Sequence, residues 1–340
     1  MNILIVKLSS LGDVVHAMPA VQDLRQALPQ AQIDWVVEPA FAPLLRRCSG
    51  VRRVIECDLR RWRRAPLDAA TRAAWRNFRT ELQAQAYDRV IDLQGLSKSA
   101  LVAWLARLVP QGRRVALGGR SDGSSYEAPT RWVADQVVCL PPHIGAVTRS
   151  RALCAQALGY PLPETLLFGL AAHAPLDGSA IKNEANLRVG PNVVVLAHGS
   201  SRADKLWPVA AWQALGERLG SQGYTVALPH GNEAEAQQAR AIARTLPGAQ
   251  VWPRLGLDAL TDAMATCAGV IGVDSGLSHM AVALDLPHVQ IYNLDTAWRT
   301  GPAPGPRQCS VLGRPSPTVD QVWQAWETVC PAVGPARVAA

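Results

Sequence analysis

The run NILIV, residues 2–6, leads straight into KLSSLGDVVHAMPA, residues 7–20. The first block reads as a strand buried on both faces. The second reads as a glycine turn followed by a helix from Asp13 to about Leu28, with Val14, Val15, Met18, Val21 and Leu24 near one face. Strand, turn and helix in this order normally suit a phosphate, because a helix N-terminus offers unpaired N–H groups and a partial positive charge. This turn lacks G-x-G-x-x-G, and Asp13 stands where the anion would go. A carboxylate there repels phosphate, so the spacing argues against a dinucleotide at this helix and leaves Asp13 needing another use.

The same alternation continues outward. QIDWVV (32–37) and VRRVIE (51–56) read as strands, 67–85 as a helix, YDRVIDLQG (87–95) as a strand and SKSALVAWLARLV (97–109) as a helix. The pattern fails between Tyr160 and Asn192, which reads as an interdomain connection. It resumes with strands at 192–199, 224–231, 269–274 and 288–293 and helices at 208–223, 233–246, 257–267 and 276–284. The expected fold is α/β, with two Rossmann-like doubly wound domains facing a cleft. The expected division is 1–170, 190–320, and a C-terminal helix and tail at 321–340.

The 340 residues are 49% hydrophobic and 18% charged, which excludes a disordered or low-complexity chain. The net charge of +7 is lopsided. Residues 1–150 carry 21 Lys/Arg against 13 Asp/Glu, and the remainder is near neutral. An anionic partner for the first half is therefore expected: nucleic acid, a membrane surface or a phosphorylated substrate. Seven widely spaced cysteines show no zinc spacing and read as buried thiols of a reducing compartment. No apolar run is long enough to span a bilayer and no signal peptide is evident, so a cytosolic chain able to touch a membrane is expected.

Three segments of the second half carry anion-binding chemistry. GVIGVDSGLSHMAVAL (269–284) ends a strand at Asp274 and opens a helix at once, so Ser275, Gly276 and Leu277 can offer backbone N–H groups to a phosphate. Asp274 can take sugar hydroxyls, and His279 can donate to an anion or orient Asp274. In LAHGSSRADKLWP (196–208), Ser200, Ser201 and Lys205 suit a diphosphate. Glu235 in LPHGNEAEA (228–236) stands where an acid commonly takes ribose hydroxyls. Each also has a plain structural reading as a cap or a solvated loop. In the first half, RRWRR packs Arg60, Arg61, Arg63 and Arg64 around Trp62, an indole suited to a sugar or a membrane interface, and Lys98 extends the basic rim. Nucleic acid could use the same set.

Taken in order, ILIVKLSSLGDVVHAMPA, RRWRR, YDRVIDLQGLSKSA, HGSSRADKLWP, LPHGNEAEA and DSGLSHMAVAL resemble the bacterial lipopolysaccharide heptosyltransferases. The resemblance implies a GT-B fold and an inverting transfer of L-glycero-D-manno-heptose from ADP-heptose, with no metal or other cofactor. It implies Asp13 as the base. It implies Ser200, Ser201, Lys205 and the turn Ser275–Leu277 on the diphosphate, Asp274 and Lys205 on heptose, Glu235 on ribose and Leu255 on the adenine face. It implies Arg60, Arg61, Arg63, Arg64 and Lys98 on an anionic Kdo–lipid A acceptor at the cytoplasmic face of the inner membrane, with no nucleic acid partner. Family members carry an R-E-P segment near Tyr126–Pro129 that here lacks its Arg, a role Arg120 or Arg131 can fill. Another ADP-heptose-dependent heptosyltransferase, for a second heptose or a protein acceptor, and a nucleotide-binding module remain as alternatives.

Overall fold

The computed structural model describes residues 1–172 and 187–330. The chain divides into two units, Met1–Ala171 and Ala172–Ala340. Much of the connection read between Tyr160 and Asn192, and the tail beyond Cys330, lie outside the described residues.

The first unit holds β1 (Asn2–Val6), β2 (Gln32–Val37), β3 (Val51–Glu56), β4 (Ala86–Asp92), β5 (Arg107–Leu117) and β6 (Gln136–Val138) in the order β3-β2-β1-β4-β5-β6, all parallel. The second holds β7 (Val193–Ala197), β8 (Thr225–Leu228), β9 (Gln250–Val251), β10 (Gly269–Val273), β11 (His288–Tyr292) and β12 (Gln308–Leu312) in the order β12-β11-β10-β7-β8-β9. Counted from its own first strand, each sheet therefore has the same doubly wound order, 3-2-1-4-5-6. Each reverses direction between its first and fourth strands, β1/β4 and β7/β10. Loops leaving the carboxyl ends of those strands part there, which opens a crevice for ligand.

Apolar strands explain the cores. β1, β7 and β10 are buried along almost their whole length, as strands covered on both faces must be. In the first unit Leu4, Val6, Val36, Ile55 and Val90 share a core with Trp62, Phe78, Leu82, Val102 and Ala103 from the helices Leu59–Trp62, Ala69–Gln83 and Ser97–Leu105. Asp34, wholly buried in β2, is matched by the Arg52 guanidinium at 2.8 and 2.7 Å and by the Tyr87 hydroxyl at 2.9 Å. Such pairing is what makes a buried carboxylate tolerable.

The helix expected over 97–109 ends at Leu105, and residues 107–117 are strand β5. That strand escaped the apolar-run reading because RLVPQGRRVAL is polar and contains Pro110. The ladder accommodates the proline by skipping: Tyr87 pairs Leu108 while Arg89 pairs Arg113. The strands β6, β9 and β12 were missed as well, being short and at the edges of their sheets, where an apolar run is not required. Among the described residues no helix is long and apolar enough to cross a membrane.

Close packing at the second switch point depends on Gly272. A Cβ there would lie 2.4 Å from Ser278 Oγ and 2.7 Å from Ala197 Cβ, and Ser278 Oγ is itself held at 2.6 Å on the Val273 carbonyl. Gly272→Ala should therefore lower stability by about 1–3 kcal/mol, the usual cost of overpacking. Urea denaturation followed by tryptophan fluorescence checks this, and an unchanged midpoint would contradict it.

Candidate active site

At the first switch point, the turn between β1 and the helix Leu11–Ala27 is pinned by groups from the tip of β4. Gln94 Oε1 accepts the backbone N–H groups of Leu8 and Ser9 at 3.0 and 3.1 Å. Lys7, 3% exposed, donates to the Leu93 carbonyl at 3.2 Å and lies 3.7 Å from Asp13 Oδ1. The other Asp13 oxygen accepts Ser10 N–H at 3.1 Å and Ser10 Oγ at 2.9 Å, completing a capping box. The plain reading of Asp13 as a cap is thus half true: one oxygen caps, and the other faces Lys7.

Burial alone would raise the Asp13 pKa. The Lys7 ammonium and the Ser10 hydrogen bonds outweigh it and bring the group down to about 2. Burial also pushes the Lys7 ammonium down, against the pull of Asp13. The carboxylate is 39% exposed and lines a pocket of roughly 130 Å³ with Lys7, Gln94, Arg149 and the loop Gly123–Ser125. An ionised, solvent-reaching carboxylate in a polar pocket can accept a proton. Asp92 cannot serve in its place. It is 2% exposed, and its oxygens take Gln94 N–H, Gly95 N–H and Ser99 Oγ at 2.8–3.1 Å, while burial drives its pKa up to about 6.

The basic residues lie along the same carboxyl edge. Glu38, just past β2, was missed in the sequence. It accepts Lys98 Nζ at 2.9 Å and lies 3.3 Å from Arg60 Nε, and Lys98 also reaches Ser9 Oγ at 2.7 Å. Lys98 therefore belongs to the Asp13 turn as much as to a basic rim. Arg60 and Arg61 lie on the one-turn helix Leu59–Trp62, capped by Asp58, with Arg63 and Arg64 just after it, all exposed. Trp62 is a correction. It is buried, packed edge-on to Trp75 at 5.5 Å and against Phe78 at 5.4 Å, so it anchors the arginines and shows only a small part of its ring, at the floor of an apolar slot, rather than an open indole face. Arg120 donates to the Ser124 carbonyl within the pocket loop, and Arg149, invisible in the sequence, donates to Ser121 Oγ at 3.0 Å.

In the second unit the residues singled out at three strand tips converge. Asp274, 4% exposed, takes Lys205 Nζ at 2.6 Å on one oxygen and His279 Nε2 at 3.3 Å on the other, with Gln290 Nε2 at 3.4 Å. Burial would raise its pKa; His279 and Lys205 outweigh it and hold the carboxyl well below the usual range. With both oxygens engaged, Asp274 positions its neighbours. An ammonium carries three donors, so Lys205 can bridge Asp274 and a ligand oxygen. Ser275 begins the helix Gly276–Ala283, and its Oγ is buried with no hydrogen-bond partner. Leu277 lies half-buried in the first turn, Ser200 Oγ reaches the Asp274 carbonyl at 3.4 Å, and Ser201 is exposed. Glu235 accepts Gly231 N–H at 2.7 Å and lies against Gly199, where a Cβ would come within 2.9 Å of its carboxyl carbon. Leu255 is half-buried on the loop leaving β9. Asn293 was missed: from the tip of β11 its Nδ2 holds the Asp204 and Leu206 carbonyls at 3.1 and 2.8 Å and so fixes the Lys205 loop. A short polar residue directly after the buried strand HVQIY was the available signal.

Two parallel six-stranded sheets of one winding order, one edged by a reachable carboxylate and the other by a helix N-terminus beside a lysine, have the two-domain architecture of the GT-B glycosyltransferases. Residues 75–323 match the model of glycosyltransferase family 9 (heptosyltransferase), and the chain belongs to that family. It is 38% identical to lipopolysaccharide heptosyltransferase 1 of Pseudomonas aeruginosa, over 88% of this chain and 81% of the relative. The structure of the E. coli heptosyltransferase WaaC with ADP matches with a TM-score of 0.81 at 32% identity, covering 95% of this chain and 98% of that one. The same enzyme with ADP-2-deoxy-2-fluoro heptose matches at 0.77, with the same identity and coverage. Lipooligosaccharide heptosyltransferase 2 of Haemophilus influenzae is 28% identical over 89% of this chain and 86% of that protein.

The Lys7–Asp13 pair predicts a pH effect. Asp13 stays ionised down to about pH 2, so it puts no acid limb on the activity above that point. In Lys7→Met the effect of burial loses its main counterweight, the Asp13 pKa rises, and activity should fall as the pH drops through the new value. A pH–rate profile of kcat/KM tests this; superimposable acid limbs for parent and variant would contradict it.

Proposed function

We propose that the chain transfers L-glycero-D-manno-heptose from ADP-heptose to a Kdo residue of Kdo-lipid A, with inversion at the anomeric carbon, building the inner core of lipopolysaccharide. The 38% and 37% identity to the heptosyltransferase 1 proteins of Pseudomonas aeruginosa and E. coli, against 28% to the heptosyltransferase 2 of Haemophilus influenzae, supports this acceptor over a heptose acceptor. The ADP and fluorinated ADP-heptose held by the E. coli relative support the donor.

In this reading Asp13 takes the proton from the attacking Kdo hydroxyl. A carboxylate held at about 2 is a weak base toward a resting hydroxyl. The proton therefore moves as the C–O bond forms and the hydroxyl becomes acidic. Lys7 keeps Asp13 ionised until that moment. Lys205, Ser200, Ser201 and the N–H groups from Ser275 to Leu277 hold the diphosphate and stabilise the charge that grows on it as it leaves. The observation that carries the donor assignment is the Lys205 ammonium held on Asp274 beside the N-terminus of the helix Gly276–Ala283, which puts a cation and free N–H groups at one strand tip. Asp274, oriented by His279, and Lys205 serve heptose, Glu235 beside Gly199 serves ribose, and Leu255 the adenine. Arg60, Arg61, Arg63, Arg64, Lys98 and Arg120 receive the acceptor's carboxylates and phosphates at the cytoplasmic face of the inner membrane.

Asp13→Asn preserves the shape of the carboxyl and removes the base. Turnover of Kdo-lipid A with ADP-heptose, read by mass spectrometry of the product, should fall roughly 10²–10⁴-fold while ADP affinity stays near normal. Near-normal turnover would remove Asp13 from the chemistry. Lys205→Ala should weaken ADP binding measured by calorimetry, because it deletes the charge nearest the proposed diphosphate. Unaltered binding would move the donor elsewhere.

A further inference from the structure

The helices Leu59–Trp62, Ala69–Gln83, Ser97–Leu105 and Pro129–Val133 stand side by side in one layer of the first unit, each packed on the next. Their inner sides share the core around Phe78 and Val102. Their outer sides depart from what a solvated layer presents. Leu67 is 82% exposed, Trp132 78% and Trp104 60%, with Leu101 one turn before Trp104 on the same helix face. Arg72, Arg76 and Arg79, at i, i+4 and i+7, make an exposed cationic stripe on the second helix. Between the first two helices lies an apolar slot of roughly 600 Å³ over Leu59, Trp62 and Trp75, rimmed by Arg63, Arg72 and Arg76. The acidic groups here are mostly spent locally: Asp58 and Asp68 cap helix starts and Glu127 binds Ser97, leaving Glu81 near the end of the stripe.

Exposed indoles beside cationic stripes have two physical outlets, a polyanion or an anionic bilayer. A polyanion would engage the arginines and leave Leu67 and Leu101 in water. A bilayer interface takes all three elements, since Trp seats at headgroup level, Arg meets lipid phosphate and Leu enters the acyl boundary. A second copy of the chain would bring two arginine stripes together. We propose that this helical layer is a bilayer-docking face for anionic phospholipid, with Trp104, Trp132 and Leu67 in the interface and Arg72, Arg76 and Arg79 on lipid phosphates. It deepens the reading of a lipid acceptor but rests on residues outside both reaction sites.

Flotation of the full chain with phosphatidylglycerol-containing vesicles, and with pure phosphatidylcholine vesicles as the control, tests it. The parent should float with the anionic vesicles. Trp104→Ser combined with Trp132→Ser should bind them about tenfold less or weaker, and so should Arg72→Glu with Arg76→Glu and Arg79→Glu. Both variants should keep parental turnover on a soluble, deacylated acceptor, which shows that they fold. Flotation of the tryptophan variant at the parental level overturns the proposal. So does flotation that only the arginine variant loses and that an added oligonucleotide abolishes in the parent. Sedimentation of the parent as a dimer that the tryptophan variant cannot form also overturns it. A parent that floats yet transfers no heptose would defeat the functional reading and leave the docking face standing.

Discussion

A buried ammonium at the end of the first strand organises the first unit's edge. Lys7 follows directly on β1 where the chain leaves the sheet, and with 3% exposure it cannot be left without partners. The partners are the Leu93 carbonyl from β4 and the Asp13 carboxylate from the following helix. Meeting that requirement ties the β1 turn, the β4 tip and the first turn of the helix into one body. Gln94 and Lys98 add further ties to Leu8 and Ser9. The carboxylate is therefore positioned by what the lysine needs, and its ionisation follows from the same contact.

The arrangement also explains why the helix N-terminus can host an acid at all. The dipole, Ser10 and Lys7 all stabilise negative charge at that point, which in most sheets of this winding would be supplied by a phosphate. With Asp13 in place the charge comes from the protein, and in the proposed reaction the phosphates are left to the second unit.

Much of this was legible in the sequence, for reasons that can be named. Continuous apolar runs are what strands covered on both faces require, so β1, β2, β4, β7, β10 and β11 could be read directly, with the glycine turns and helices that follow them. Asp274 and Ser275 stood out because polar residues closing an apolar strand face the carboxyl edge, and Lys205 because it lies on the loop that leaves the strand NVVVLAHG. β5 was hidden by Pro110 and its polar neighbours, which belong to a ladder that skips residues. Glu38, Gln94 and Arg149 were hidden because their work is tertiary: each acts on a group 28 to 86 positions away, and no local spacing encodes that. Trp62 was misread for the converse reason. Its arginine neighbours pointed outward, but a one-turn helix needs one side chain in the core, and the indole is that side chain.

The two switch points hold the same pair of ions in opposite senses. At the first, the lysine side chain is 4% exposed and the aspartate 39%; at the second, the aspartate is 3% exposed and the lysine 17%. Each pair keeps one ion as a buried counter-charge and offers the other to whatever enters the crevice. The sheet that buries its cation presents a carboxylate, which suits proton acceptance. The sheet that buries its anion presents an ammonium beside a helix N-terminus, which suits a leaving diphosphate. In the proposed reaction one winding order thus serves both halves of the transfer, and the half each sheet would take follows from which member of its ion pair the backbone has enclosed.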